Sequence, residues 1–189
     1  MKDNDRQRLF LALPLSEDIL QGVQDFRHRH AHLEQSGFRW IPARNLHITL
    51  CFLGDILLED TPKLCHDLRG ILSRHGSMPL SFQCFALRPR QRPRMIWAQF
   101  RSQERFSFLS QRVTTVCAPY CLSPPKREKD SIPHVTIARI KRAPGELSVQ
   151  SDLILPDLKV SSVELWSSEL HPGGSSYTAI ASFGLLSKQ

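Results

Sequence analysis

The sequence lacks several patterns that mark common enzyme and membrane classes. It has no apolar run near the roughly 18 residues needed to cross a bilayer, and residues 1 to 6 contain no apolar signal core. It also has no His-Glu-x-x-His motif, no Gly-rich loop ending in Lys-Ser or Lys-Thr, and no Gly-x-Ser-x-Gly elbow. We therefore expect a cytoplasmic protein with no metal, no cofactor and no membrane partner.

Cysteine is too sparse and too irregular for a disulfide framework. The five cysteines are odd in number and show no Cys-x-x-Cys spacing, so we predict reduced thiols in or near the core. A zinc site at Cys117 and Cys121 is conceivable, but no compact ligand set accompanies them. The 189 residues are 41% hydrophobic, which favours a single domain over residues 1–189.

Basic residues outnumber acidic ones, 25 to 18, for a formal net charge of +7. This excess favours a polyanionic partner such as RNA, although a merely soluble basic protein has the same composition. The most basic stretch is the connector at residues 88–94. Within it, Arg90, Arg92 and Arg94 are candidates for contacts with an RNA backbone, and a solvated connector is the alternative.

Two short segments repeat the same pattern. His47-Ile48-Thr49 and His134-Val135-Thr136 each lie among alternating apolar residues, which predicts half-buried strands. Side chains two residues apart share a strand face, so each His and its Thr should point the same way. One such His is more often a buried structural residue, but two copies at the same offset make that interpretation much weaker.

Short strands and amphipathic helices alternate along the chain, with one copy of the motif in each half. We predict strands near 8–13, 46–53, 80–87, 95–100, 133–140, 160–170 and 177–185. Helices are predicted near 16–32, 61–76 and 106–120, and a polar loop at 123–130. This order indicates an α+β fold duplicated into two lobes.

Two imidazoles on equivalent strands suit in-line displacement at phosphorus, which needs a base at one pole and an acid at the other. Thr49 and Thr136 could donate hydrogen bonds to the phosphate oxygens. Arg139 is a further phosphate-binding candidate. On a regular strand it would face away from Thr136, so this assignment requires a bulge or the end of the strand.

The chain resembles the two-histidine phosphoesterases, in particular the LigT-like RNA 2′,3′-cyclic phosphodiesterases, also called 2′-5′ RNA ligases. The resemblance follows the chain in order. It comprises the opening strand at 8–13, the Arg39-Trp40-Ile41-Pro42 segment with the first motif, Trp97 in a middle hairpin, the second motif, and a hairpin at 168–177.

That resemblance implies a bilobal, pseudo-twofold α+β fold with two antiparallel sheets lining a central cleft and helices outside. It implies a monomer that opens the 2′,3′-cyclic phosphate of an RNA end to a 2′-phosphomonoester without metal, with reverse 2′-5′ ligation as a weak activity. By matched position, His47 would be the proton donor and His134 the proton acceptor. The alternative is a non-catalytic nucleotide- or RNA-binding module on the same fold.

Overall fold

A computed structural model describes residues 5–123, 125, 132–141, 149, 151–171 and 174–187 of the chain. Over these ranges the helices are α1 (Glu17–Arg29), α2 (Thr61–Leu72) and α3 (Glu104–Cys117). The strands are β1 (Arg6–Leu13), β2 (Phe38–Trp40), β3 (Ile48–Leu57), β4 (Met78–Leu80), β5 (Phe82–Arg88), β6 (Met95–Phe100), β7 (His134–Ile140), β8 (Leu158–Val160), β9 (Ser162–His171) and β10 (Gly174–Gly184). None of these helices is long and apolar enough to span a membrane.

The strands form two antiparallel sheets, as predicted. The larger sheet has eight strands in the order β10-β9-β1-β3-β7-β6-β5, with β2 paired to β7, and the smaller sheet pairs β4 with β8. In the described part of the larger sheet, β3 and β7 pair through Ile48 and Val135 alone. β3 and β7 therefore meet at the two His-x-Thr motifs.

The two faces of the larger sheet differ in what covers them. On one face Leu9, Leu11 and Leu13 of β1 join the main core, which also contains apolar residues of all three helices. On the other face Phe10 and Ala12 of β1 belong to a separate small cluster with Trp166 and Tyr177. We call this second face the aromatic face. β1 is thus buried on both sides, which explains its nearly continuous apolar sequence.

One predicted strand end is wrong. The first motif strand was expected to stop at Gly54, but β3 continues to Leu57. Gly54 has a φ of 74° and lies where the β1–β3 register shifts, between Leu9 and Phe10. Glycine adopts this left-handed conformation without a steric penalty, so it allows a bulge within the strand instead of ending it.

The helix ends differ more modestly. α2 ends at Leu72, earlier than the predicted Gly76, and α3 ends at Cys117 before a short 3₁₀ turn that reaches Tyr120. Most of the polar loop predicted at 123–130 lies outside the described residues.

Candidate active site

The strand register brings the two motifs together. Because Ile48 pairs with Val135 in antiparallel orientation, His47 lies across from Thr136 and Thr49 lies across from His134. Ile48 and Val135 are fully buried, whereas the four polar side chains are partly exposed. The predicted co-facial arrangement of each His with its Thr is therefore observed, and both pairs share one face of the sheet.

Both imidazoles are held in the same way. The Nδ1 atom of His47 is 2.7 Å from the carbonyl oxygen of Asn45, and that of His134 is 2.8 Å from the carbonyl oxygen of Ile132. A carbonyl can only accept, so each Nδ1 carries a hydrogen and each neutral ring has its lone pair on Nε2. In His47 this Nε2 is 3.0 Å from the Thr49 hydroxyl, which donates to it when the ring is neutral.

His47 lies in an aromatic cage on the aromatic face. Its ring centroid is 4.9 Å from that of Phe10, 5.1 Å from Trp166 and 5.4 Å from Tyr177. The pKa of His47 is lowered to about 4, mainly by burial in this cage; the hydrogen bond to the Asn45 carbonyl opposes the shift, and the nearby charge of His134 adds to it. At neutral pH and without ligand, His47 is therefore a neutral imidazole.

His134 has a different support. Its ring stacks on the indole of Trp97, with centroids 3.5 Å apart and planes inclined by 15°. The Arg88 guanidinium lies over the same indole at 5.8 Å and donates a hydrogen bond to the side-chain oxygen of Gln99, the residue opposite His134 on β6. Gln99 in turn donates to Gln83 at 2.8 Å. These contacts hold Arg88 over the Trp97 indole, and the indole in turn sets the plane of the His134 ring.

A bulge changes the direction of Arg139. The β6–β7 register shifts between Ile96 and Trp97, which leaves Ile137 as an extra residue in β7. Ile137 is buried, whereas Arg139 is exposed. The bulge therefore returns Arg139 to the face that carries Thr136, as the sequence-based assignment requires.

The three other predicted arginines lie at the tip of the β5–β6 hairpin. Arg90, Arg92 and Arg94 are all exposed. In the described part of the chain none of their side chains hydrogen-bonds to a motif residue, but the carbonyl of Arg94 accepts a hydrogen bond from the Ile140 amide at 2.8 Å. The connector thus ends beside Arg139.

No group of three or more His, Cys, Asp or Glu side chains suited to a metal ion occurs among the described residues. The five cysteines are free thiols, as the sequence predicted. Burial raises the pKa of the Cys51 and Cys121 thiols, the latter to about 11, so these groups stay protonated near neutral pH.

Sequence reasoning missed the aromatic side chains that surround the histidines. Phe10, Trp166 and Tyr177 come from strands far apart in the chain, and their alternation resembles that of ordinary core strands. The sequence places Trp97 in a hairpin but does not identify it as the stacking partner of His134. The signal available for it was its position on a strand that follows a highly basic connector.

Known proteins similar to this chain are phosphoesterases. The profile of the LigT-like phosphoesterases matches residues 13–97, which include the first motif. An RNA 2′,3′-cyclic phosphodiesterase of Methanothermobacter thermautotrophicus is 27% identical, over 94% of this chain and 98% of its own length. One from Thermotoga maritima is 25% identical over 92% of each chain. The chain is therefore similar to the LigT-like phosphoesterases over residues 13–97, and to RNA 2′,3′-cyclic phosphodiesterases over most of its length.

The fold comparison extends this similarity to the second motif. A solved structure from Thermus thermophilus superposes with a TM-score of 0.81 at 25% identity, covering 96% of this chain and all of the other. The similarity therefore includes β7 and the C-terminal hairpin, which lie beyond the residues matched by the family profile. The same fold is found in LigT of E. coli, whose structure superposes with a TM-score of 0.75 at 22% identity and covers 96% of this chain.

Proposed function

We propose that the chain hydrolyses 2′,3′-cyclic phosphodiesters at RNA ends to 2′-phosphomonoesters. The observation that carries this proposal is the facing pair of His-x-Thr motifs, each with its imidazole held by a backbone carbonyl through Nδ1. Two relatives that align over more than 90% of the chain are RNA 2′,3′-cyclic phosphodiesterases, which supports the same substrate class.

In the proposed reaction, the oxygen of a water molecule attacks phosphorus while the bond to the 3′ oxygen breaks. His134 accepts the proton of the water and His47 donates a proton to the departing 3′ oxygen, both through Nε2. Nδ1 is unsuitable for either role because it is engaged with a carbonyl in both rings. General acid and base groups of this kind typically contribute roughly 10²- to 10⁴-fold to the rate.

The low pKa of His47 means that its proton must be acquired with the substrate. Burial and the neighbouring His134 disfavour the imidazolium in the ligand-free site. A phosphate anion between the two rings reverses the second effect and adds attraction, so it raises the pKa of His47. Protonation also reorganises the Thr49 contact, because Nε2 then donates and the Thr49 hydroxyl is released toward the phosphate.

The phosphate itself is proposed to be held by Thr49, Thr136 and Arg139. The two hydroxyls lie on the same face as the imidazoles, and the bulge at Ile137 puts Arg139 on that face too. Hydrogen-bond donors and a guanidinium at these positions would stabilise charge on the non-bridging oxygens as it develops. We expect Thr49→Val and Thr136→Val to slow turnover by roughly 10- to 10³-fold.

The aromatic face supplies a surface for the nucleoside. Phe52 is 63% exposed, and its ring lies 5.9 Å from that of Phe10, which borders His47. An exposed aromatic ring beside the reacting groups suits stacking with a base, an interaction that tolerates any sequence. The exposed Arg90, Arg92 and Arg94 are proposed to attract the RNA backbone, with the net charge of +7 adding a salt-dependent contribution.

The test is product analysis. Purified protein, with EDTA, is incubated with a nucleoside 2′,3′-cyclic phosphate, with an oligonucleotide that carries the same end, and with an uncleaved oligonucleotide. We expect a 2′-phosphate from the first two and no change in the third. His47→Ala and His134→Ala should each lower turnover by roughly 10²- to 10⁴-fold, whereas His66→Ala, an exposed histidine on α2, should have no effect.

The alternative of a non-catalytic binding module has its own outcome. Binding of the cyclic oligonucleotide without any product, in both the wild type and the His47→Ala variant, would replace the enzyme proposal by that module. Reverse ligation is assayed by formation of the 2′-5′-linked product, which the same pair of histidines would make from a cyclic end and a 5′-hydroxyl.

A further inference from the structure

Two arginine side chains lie next to the motifs, on the face of the sheet that carries the two histidines. Arg39 of β2 lies directly opposite Arg139 of β7, and both are exposed. The neighbouring residue pairs on both sides are buried in the core: Phe38 with Ile140, and Trp40 with Ala138. Because strand side chains alternate, the two guanidinium groups share the outward face that also bears the catalytic candidates.

The position of Arg39 is fixed by the C-terminal hairpin. A Cβ built on Gly174, at the start of β10, would collide with Nη2 of Arg39, so the guanidinium rests directly on the glycine backbone. Gly174 has a φ of 124°, which other residues rarely adopt. The carbonyl of the next residue, Ser175, accepts a hydrogen bond from the Asn45 side chain at 2.9 Å. Arg39 therefore lies between β7 and the hairpin that carries Tyr177 of the His47 cage.

The charges at this position are not neutralised within the described structure. The ion pairs among the described residues involve Arg27, Arg29, Lys63 and His171, and neither Arg39 nor Arg139 takes part in one. Like charges directly opposite each other on neighbouring strands destabilise a sheet. Anions bound beside the two groups relieve such an arrangement, and planar guanidinium groups suit a phosphate.

With Arg139 assigned to the central phosphate, Arg39 is the member of the pair left for another anion, and its guanidinium lies against Gly174 of the C-terminal hairpin. Along one edge of β7, β3 supplies His47 opposite Thr136, and β2 then supplies Arg39 opposite Arg139. Because Ile137 is an extra residue, two ladder steps separate Thr136 from Arg139, a span of about 7 Å. That distance is on the scale of one nucleotide, so Arg39 is placed for a second anionic group of the same substrate.

We propose that Arg39 forms a second anion subsite, beside the central one that contains Arg139, and that it binds the 5′-phosphate of the terminal nucleotide, which in an RNA is the internucleotide phosphodiester. This inference rests on the proposed function and adds a preference to it. The chain would favour RNA ends over isolated cyclic nucleosides, because only an RNA end offers a phosphate to both subsites.

The experiment compares a nucleoside 2′,3′-cyclic phosphate that has a 5′-hydroxyl with the same compound carrying a 5′-phosphate. In the wild type the 5′-phosphate should lower KM by about tenfold with kcat unchanged, as expected for a contact made equally in the ground and transition states. Arg39→Gln should abolish this advantage and leave the 5′-hydroxyl substrate unaffected. Arg39→Lys should keep part of it, and Arg74→Gln, an exposed arginine just beyond α2, should keep all of it.

Two outcomes would overturn the subsite: an Arg39→Gln variant that retains the full 5′-phosphate advantage, or one that slows both substrates equally. Calorimetry with a nucleoside 2′-monophosphate and a 2′,5′-bisphosphate makes the same comparison without turnover. If the wild type is inactive but binds the bisphosphate more tightly in an Arg39-dependent manner, the proposed reaction fails and the subsite stands. If the wild type turns over both substrates without distinguishing them, the subsite alone fails.

Discussion

The neutral, caged imidazole of His47 should make the stability of the fold depend on pH. Its pKa is about 4 in the folded chain, against the ordinary 6.5 expected in the unfolded chain. Between these values the unfolded state binds more protons, so the free energy of unfolding must fall as the pH is lowered. Between pH 7 and about pH 4.5, this one group should lower the free energy of unfolding by about 2 to 3 kcal/mol. That is a large fraction of the stability of an ordinary domain.

The assay is urea unfolding of the wild type and of His47→Gln at both pH values. Glutamine fills much of the same space but does not titrate. The free energy of unfolding of the variant should therefore fall by about 2 to 3 kcal/mol less than that of the wild type between the two pH values. Burial also lowers the pKa of His75, and this contribution is common to both proteins and cancels in the comparison. Equal losses in the wild type and the variant would refute the buried, neutral state of His47.

The same measurement connects stability with the proposed chemistry. A phosphate anion in the site favours the imidazolium, so saturating inorganic phosphate should reduce the acid-induced loss in the wild type. His47→Gln has no proton to gain at this position and should show a smaller effect. An identical effect of phosphate on the two proteins would mean that the anion does not lie against His47.

Three further predictions concern catalysis. Trp97→Leu should lower kcat on a cyclic mononucleotide by roughly 10- to 100-fold and change KM less, because an aromatic ring is needed to set the plane of the His134 ring. Trp97→Phe keeps a ring and should therefore retain most of the rate. Because the reaction needs one protonated and one neutral imidazole, kcat/KM should follow a bell-shaped pH profile with no effect of EDTA, and a flat profile would contradict the two roles. Replacing Arg90, Arg92 and Arg94 together by Gln should raise KM for an oligonucleotide, increasingly so at low salt, and leave kcat on the mononucleotide unchanged.

The shared face of each His and its Thr could be predicted from the sequence because it depends on a local signal that occurs twice. Alternation of apolar and polar residues sets which side chains share a face, and His47 with Thr49 and His134 with Thr136 follow that rule. The α+β class followed for the same reason, from periodicities that are local to each element. What the pattern could not give was that Ile48 and Val135 form the register pair joining β3 to β7.

Bulges account for the places where local reasoning failed or stayed conditional. Each shifts the alternation by one residue, and nothing in the neighbouring sequence marks the shift unambiguously. Gly54 looked like a strand end and is a bulge residue instead. Arg139 could share a face with Thr136 only if the strand contained a bulge or ended there, and the sequence did not show which. The structure has a bulge, and Ile137 is its extra residue.

The two histidines share a motif and a backbone tether, so any difference in their roles must come from side chains that the motif does not contain. His47 is enclosed by aromatic rings from β1, β9 and β10, and this enclosure removes water and lowers its pKa. His134 stacks on the indole of Trp97, and the Arg88 guanidinium lies over the same indole. Because these neighbours come from strands distant in sequence, a repeated tetrapeptide predicts that there are two titratable groups, and only the folded chain makes them unequal. That inequality is what a reaction with one proton donor and one proton acceptor requires.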